Sequence, residues 1–326
     1  MQWSDLSLAD VLEAAKRIAF VVRRTPLAES GALADSSGAR TVRLKLESLQ
    51  NTGAFKVRGA ANRILSLGEE ERRRGVITFS TGNHGKAVAY VAGQTGIPAI
   101  VCVSEHVAAY RVEQIRRLGA EVVVKGRSQD EAEIEYERLR SERGMTPVVP
   151  FDDPYVVAGQ ATIALEMLTE EPTLDTFVVP LSGGGLLAGV ALAAKLLEPS
   201  ARVVGVSIAR SPAMLESLKA GRPVEVEEND TLADSLLGGI GAENRFTLPL
   251  VREYVDEHVV VDEADIARGM YYTFTEHSLV AEGAAVVGIA AVLSGKIDVN
   301  GRHVGIVVSG SSVDPARYVR VIQDFL

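Results

Sequence analysis

Short runs of β-branched and aliphatic residues recur along the chain, and most are apolar from end to end instead of alternating with polar residues. A strand of that kind must be covered on both faces, as in a parallel sheet flanked by helices. The runs are Val42–Leu46, Val76–Phe79, Ala99–Val103, Glu121–Val124, Thr176–Val179, Val203–Val206, His258–Val261 and Val304–Val308. Between them lie helical patterns at Leu8–Val22, Ala54–Ser66, Lys86–Gln94, Ala108–Leu118, Gln129–Arg143, Gln160–Leu168, Leu186–Leu197 and Asp265–His277. Strands that alternate with helices need right-handed crossovers, so the expected class is α/β with mainly parallel sheets. Pro147, Pro150 and Pro154 break the alternation and predict a boundary near Phe151–Pro154.

Composition narrows the function classes. The 326 residues carry a net charge of −9, which argues against a phosphate-backbone binder, so no nucleic-acid partner is expected. The single cysteine, Cys102, excludes an internal disulfide framework and any CxxC metal site, and its apolar run predicts a buried strand residue. Charge runs at Glu69–Arg74 and Glu131–Arg143 read as solvated helix faces. Met1–Asp10 lacks the basic start and apolar stretch of a signal peptide, and Gly283–Leu293 is too short to span a bilayer. A cytoplasmic protein with no membrane association is the expectation.

Three loops that lead into helices carry the chemistry. In parallel α/β sheets such loops lie at the carboxyl ends of strands, where ligands bind, and each helix start offers free amides to an anion. Leu181-Ser182-Gly183-Gly184-Gly185-Leu186 lets the backbone approach a phosphate closely. Gly183, Gly185 and Ala188 also fit a dinucleotide fingerprint, but Val206, Ser207 and Ile208 supply no acid to hold a ribose. Ser80-Thr81-Gly82-Asn83-His84-Gly85 suits a carboxylate, although Asn83 also suits a plain helix cap. In the third loop, Gln50–Ala60, Lys56 sits between Phe55 and Val57 near a helix start. Desolvation and the positive dipole end both lower a lysine's pKa and make its amine a usable nucleophile.

Together these loops resemble those of fold-type II pyridoxal-phosphate enzymes, in the threonine/serine dehydratase and serine racemase branch. Ser48–Ala60, with its Phe55-Lys56-Val57-Arg58-Gly59 core, resembles the cofactor-lysine motif. Ser80–Gly85 resembles the S-x-G-N-H loop, Ser182–Leu186 the glycine-rich phosphate loop, and Phe151-Asp152-Asp153-Pro154 with Gly159-Gln160 the F-D-D-P…G-Q segment. Ser309-Gly310 with Val313-Asp314 resembles the S-G-x-x-V-D terminus. The resemblance implies a tryptophan synthase β-like fold of two α/β domains, with pyridoxal 5′-phosphate in the cleft between them. The large cofactor-binding domain is expected at 1–75 and 149–326, and the smaller inserted domain at 76–148.

Carried over residue by residue, the resemblance makes Lys56 the Schiff-base lysine, which later moves the α-proton. Phe55 and Gly238 would pack near the ring, and Asn83 would hydrogen-bond its 3′-hydroxyl. Ser182, Gly183, Gly184, Gly185 and Leu186 would bind the phosphate, Ser309 would meet the pyridine nitrogen, and Glu282 matches an active-site acid. A structural acid at a helix start is the other reading of Glu282. Ser80, Thr81, Gly82, Asn83 and His84 would hold the substrate carboxylate, with Ser80 and Thr81 both candidates for a second acid–base group.

The implied reaction is β-elimination from a β-hydroxy amino acid such as L-threonine or L-serine, giving a 2-oxo acid and ammonia. Serine-type racemisation is the alternative, as is a specialised substrate such as 3-hydroxyaspartate, phenylserine or a hydroxyectoine degradation product. Leu236–Gly241 and Val280–Ala284 look more like hydroxyectoine-utilisation dehydratases than housekeeping threonine deaminases. Ser207 and Ala213 stand where many relatives have two metal-binding acids, so no metal is expected there. The chain ends one helix after the S-G-x-x-V-D segment, so a regulatory C-terminal domain and isoleucine feedback are not expected. A homodimer is implied.

Overall fold

A computed structural model describes residues 2–80, 82–107, 109–126 and 129–325. Among the described residues the ten strands are β1 (Leu27–Glu29), β2 (Thr41–Leu46), β3 (Val76–Phe79), β4 (Ala99–Val103), β5 (Glu121–Val124), β6 (Thr146–Pro147), β7 (Thr176–Pro180), β8 (Arg202–Ile208), β9 (Glu257–Val261) and β10 (His303–Val308). They form two sheets, a six-stranded one in the order β1-β2-β10-β7-β8-β9 and a four-stranded one in the order β5-β4-β3-β6. Every pairing is parallel except β1 with β2.

Both faces of both sheets are covered, which is why the strands read as continuously apolar. On the larger sheet Leu44, Val178, Val206 and Ile306 face one core, while Phe177, Val179, Val203 and Val307 face the other. On the smaller sheet Val76 and Val101 face one way, and Ile77, Ile100 and Cys102 the other. Cys102 is buried in β4 and its thiol pKa is pushed up to about 11 by burial, as a structural strand cysteine would be.

The strand runs expected from the sequence all appear, with small shifts at their ends. β1 and β6 were missed, because three and two residues are too few to carry a periodic signal. The Gln160–Leu168 helix runs from Pro154 to Glu170 instead. It starts early because Asp153 accepts hydrogen bonds from Tyr155 N and Val156 N while Pro154 occupies the first turn. The Leu8–Val22 pattern ends at Ile18, and the Ala54–Ser66 pattern covers Lys56–Leu65. Ala108, the expected start of the next helix, lies outside the described residues.

Candidate functional site

Loops at the carboxyl ends of strands in both sheets meet around a cavity of about 270 Å³. The larger sheet contributes Phe55 and Lys56, Pro180 to Leu186 apart from Leu181, Ser235 to Gly239, Glu282 and Ser309. The smaller sheet contributes Ser80, Gly82, Asn83 and His84 from the turn after β3, and Pro150 and Phe151 come from the segment that returns to the larger sheet. The structure therefore gathers at one cavity every predicted site residue it describes. Thr81 lies outside the described residues.

Lys56, expected near a helix start, is the first residue of the Lys56–Leu65 helix. Its Nζ stands 5.2 Å from the Phe55 ring centroid and donates a hydrogen bond to the Pro150 carbonyl at 2.9 Å. Desolvation lowers its pKa to about 8, opposed only in part by the Glu282 carboxylate. Near neutral pH a usable fraction of the amine is therefore unprotonated. The Pro150 carbonyl is a partner that local sequence could not reveal, ninety-four residues away along the chain.

The glycine loop is built for close approach. Gly184 has φ +89° and caps the Gly185–Leu197 helix, so its free amides face the cavity end of that helix dipole. A Cβ on Gly183 would fall 2.5 Å from the Phe151 ring, and one on Gly185 would fall 2.8 Å from Phe151 Cβ. Phe151 thus floors the loop, and the next residue holds it in place. Asp152 accepts from the backbone N–H groups of Arg245, Phe246 and Thr247 at 2.8–2.9 Å, at the start of the Thr247–Tyr254 helix. Thr247 in turn donates its hydroxyl to the Gly183 carbonyl at 2.8 Å. In the sequence Phe151 and Asp152 stand out as a motif, with no sign of this support.

Asn83 does not cap its helix. Gly82 occupies the cap, and Asn83 is the first helical residue. Its Nδ2 donates to Glu282 Oε1 at 2.9 Å, whereas its buried Oδ1 has no partner among the described residues. A buried unpaired amide oxygen costs free energy unless a ligand donor meets it.

Glu282 likewise caps nothing. Its other oxygen accepts from Ser235 Oγ at 3.2 Å, and no first-turn amide donates to it. Burial, helped by Asp234, raises its pKa to about 7, against the hydrogen bonds from Ser235 and Asn83. Glu282 does stand at the start of the Gly283–Ala285 turn, but its carboxylate accepts from Asn83 and Ser235 in the cavity wall and not from that turn's amides. His84 is buried and its Nε2–H donates to the Val148 carbonyl at 2.8 Å. Desolvation and nearby Lys56 depress its pKa to about 3, so the ring is neutral. Gly238, with φ +106°, and Ser309, whose carbonyl accepts from Phe55 N at 3.0 Å, complete the wall.

These features fit a planar, phosphate-bearing aldehyde. A buried amine of lowered pKa would take the aldehyde, a glycine cradle at a helix start would take the phosphate, and the unpaired Asn83 oxygen would take a phenolic hydroxyl. The comparisons with known proteins agree. Residues 18–310 match the model of the family described as "Pyridoxal-phosphate dependent enzyme". The L-threonine ammonia-lyase of Thermotoga maritima is 42% identical over 317 residues, covering 97% of this chain and 78% of that protein. Maize serine racemase superposes with a TM-score of 0.91 at 34% identity, covering 98% of this chain and 97% of that one. The T.th. threonine deaminase superposes at 0.87 with 35% identity, covering 95% of this chain and 99% of that one.

Proposed function

The chain belongs to the pyridoxal-phosphate dependent enzyme family, and from that premise we propose that it expels the β-hydroxyl of a β-hydroxy amino acid such as L-threonine or L-serine as water, and that water then hydrolyses the resulting imine to a 2-oxo acid and ammonia. The observation that carries this reading is Lys56, held in the cavity wall with a lowered pKa beside a glycine cradle on a helix start.

When bound, pyridoxal phosphate supplies an electron sink for charge developing at the substrate Cα, so that a β-hydroxyl can depart. Ser182 to Leu186 would hold its phosphate through backbone amides, Asn83 its phenolic oxygen, and Ser309 its ring nitrogen. A serine hydroxyl, unlike an acid, cannot keep a full proton at that nitrogen, which weakens the sink and favours loss of the hydroxyl over reprotonation elsewhere. Lys56, partly unprotonated near neutrality, takes the α-proton at Nζ. The start of the Asn83–Thr95 helix, with Ser80 and Gly82, binds the substrate carboxylate. Glu282, poised near neutrality, anchors Asn83 and Ser235.

A specific observation favours an acidic member of the substrate class, 3-hydroxyaspartate, as the second reading. A neighbouring cavity of about 610 Å³ shares Gly82, Asn83 and Ser235 with the first and is lined by Lys86 and Arg111, and also by Asp234 and Asp314, whose carboxylates are engaged by Arg317. Among the described residues no carboxylate lies within ion-pair distance of either cation. A hydroxyectoine degradation product and phenylserine complete the panel. Ser80 in the cavity wall keeps racemisation as the alternative reaction, in line with the likeness to maize serine racemase.

We propose further that 1–75 with 149–326 and 76–148 form the large and inserted domains around the two sheets, and that the protein works as a cytoplasmic homodimer. Among the described residues no helix is long and apolar enough to cross a membrane. Incubation of the cofactor-loaded protein with the panel, with 2-oxo acid, ammonia and enantiomer readouts, tests the reading. Enantiomer conversion without 2-oxo acid would replace lyase by racemase.

A further inference from the structure

Behind Lys56, on the side away from the cavity, the same helix is pinned by a network of four charges, of which Lys45, Glu47 and Arg58 are fully buried and Glu166 is partly exposed. Arg58 is fully buried. Its Nε and Nη2 donate to the two oxygens of Glu47, each at 2.8 Å, and its Nη1 and Nη2 donate to the two oxygens of Glu166 at 2.7 and 2.8 Å. Nη1 also reaches Thr162 Oγ1 at 3.0 Å. Lys45, equally buried, donates to Glu166 at 2.6 Å and to the Thr25 carbonyl at 2.7 Å, and the Thr25 hydroxyl returns to Glu47. Two cations and two carboxylates balance.

A buried ion network is a poor device for stability, because well-packed hydrocarbon often does as well or better. Geometry is the better account of this one. It ties β2 and the Glu47–Leu49 turn to the Lys56–Leu65 helix, and that helix to Pro154–Glu170. The two helices already touch through glycine, since a Cβ on Gly159 would fall 2.6 Å from the Arg58 carbonyl oxygen. Asn62 adds a hydrogen bond to the Tyr155 carbonyl at 2.7 Å. One of these helices begins with Lys56; the other is preceded by Pro150, which accepts from Lys56 Nζ, and by Phe151, which floors the glycine loop.

We propose that Arg58 is a positioning residue: its paired hydrogen bonds to Glu47 and Glu166 set where the Lys56 amine stands against the Pro150 carbonyl and the glycine loop. Arg58 itself does not line the cavity. The inference rests on reading Lys56 as the cofactor-bearing lysine.

Arg58→Lys keeps the charge and loses the paired geometry. Two readouts test it: kcat and KM of the loaded enzyme, and the pH dependence of amine labelling at Lys56 in the cofactor-free protein. Positioning predicts a folded variant whose kcat falls about tenfold or more, a barrier change of about 1.4 kcal/mol, with little change in KM. It also predicts that the labelling midpoint of Lys56 climbs from its lowered value toward that of an ordinary lysine. A folded variant with wild-type kcat and labelling midpoint overturns the proposal, whatever its melting temperature. Should Arg58→Lys not fold, Glu166→Gln, which keeps side-chain volume, is read by the same two outcomes. Failure of the underlying reading is separate: Lys56→Ala would then keep the absorbance of lysine-linked cofactor.

Discussion

At the scale of single residues, the proposed chemistry draws on two cavity groups whose protonation the fold has moved toward neutrality. Lys56 is lowered to about 8 and Glu282 raised to about 7, in both cases chiefly by burial. Lys56→Ala is expected to abolish turnover and the absorbance of the lysine-linked cofactor, as read by activity and an absorption scan. Glu282 makes stability depend on pH. In the cofactor-free fold its carboxyl keeps a proton up to about 7, whereas an unfolded glutamate gives it up near 4.5. The folded state therefore holds the extra proton between those values, and stability falls as pH rises through that window. Glu282→Gln removes the dependence and should make the cofactor-free protein more stable at pH 8 by on the order of 3 kcal/mol at most. Urea unfolding at pH 4 and pH 8 measures it; an unchanged pH slope would show that Glu282 titrates normally. The sequence disclosed the apolar neighbours of Lys56 because Phe55 and Val57 are adjacent to it. It was silent on Pro150 and on the burial of Glu282, which depend on contacts between distant segments.

At the scale of elements, the glycine loop of the cavity is held by close backbone approach to Phe151 and, through Thr247, by the capping carboxylate of Asp152. Gly183→Ala would drive a methyl into the Phe151 ring at 2.5 Å. Overpacking of that kind costs about 1–3 kcal/mol, and a weakened cofactor affinity, read by equilibrium titration, is expected to exceed any loss of Tm. Asp152→Ala leaves three amides at the start of Thr247–Tyr254 without their acceptor. Loss of a helix cap costs about 0.5–2 kcal/mol, here with loosening of the glycine loop through Thr247 and Gly183. The strands of the central sheets were legible because their double burial forces an unbroken apolar run. Gly31–Ser37, Ala213–Ala220, Thr247–Tyr254 and Val287–Leu293 were not, since each spans two turns or little more and carries too few residues to establish a period. Asp152 and Arg58 stood in the sequence as motif residues, but their partners, the amides of Arg245, Phe246 and Thr247 and the carboxylates of Glu47 and Glu166, are set by long-range contacts that a local motif does not show.

At the scale of the molecule, the cavity opens between a six-stranded and a four-stranded sheet, so any group bound there touches both. Cofactor removal should therefore lower Tm by several degrees, since a ligand at about a hundred times its Kd contributes about 2.7 kcal/mol. Hydrogen exchange should accelerate together at 82–85 and 182–186, on elements from different sheets. Exchange confined to one of the two loops would mean that the ligand does not bridge them. The most direct measurement is 2-oxo acid and ammonia release by the cofactor-loaded protein from L-threonine, L-serine and 3-hydroxyaspartate, with Lys56→Ala alongside. Equal amounts of 2-oxo acid and ammonia from at least one of them, lost in the variant, is the result expected. No 2-oxo acid from any of the three, or undiminished release by Lys56→Ala, would contradict it.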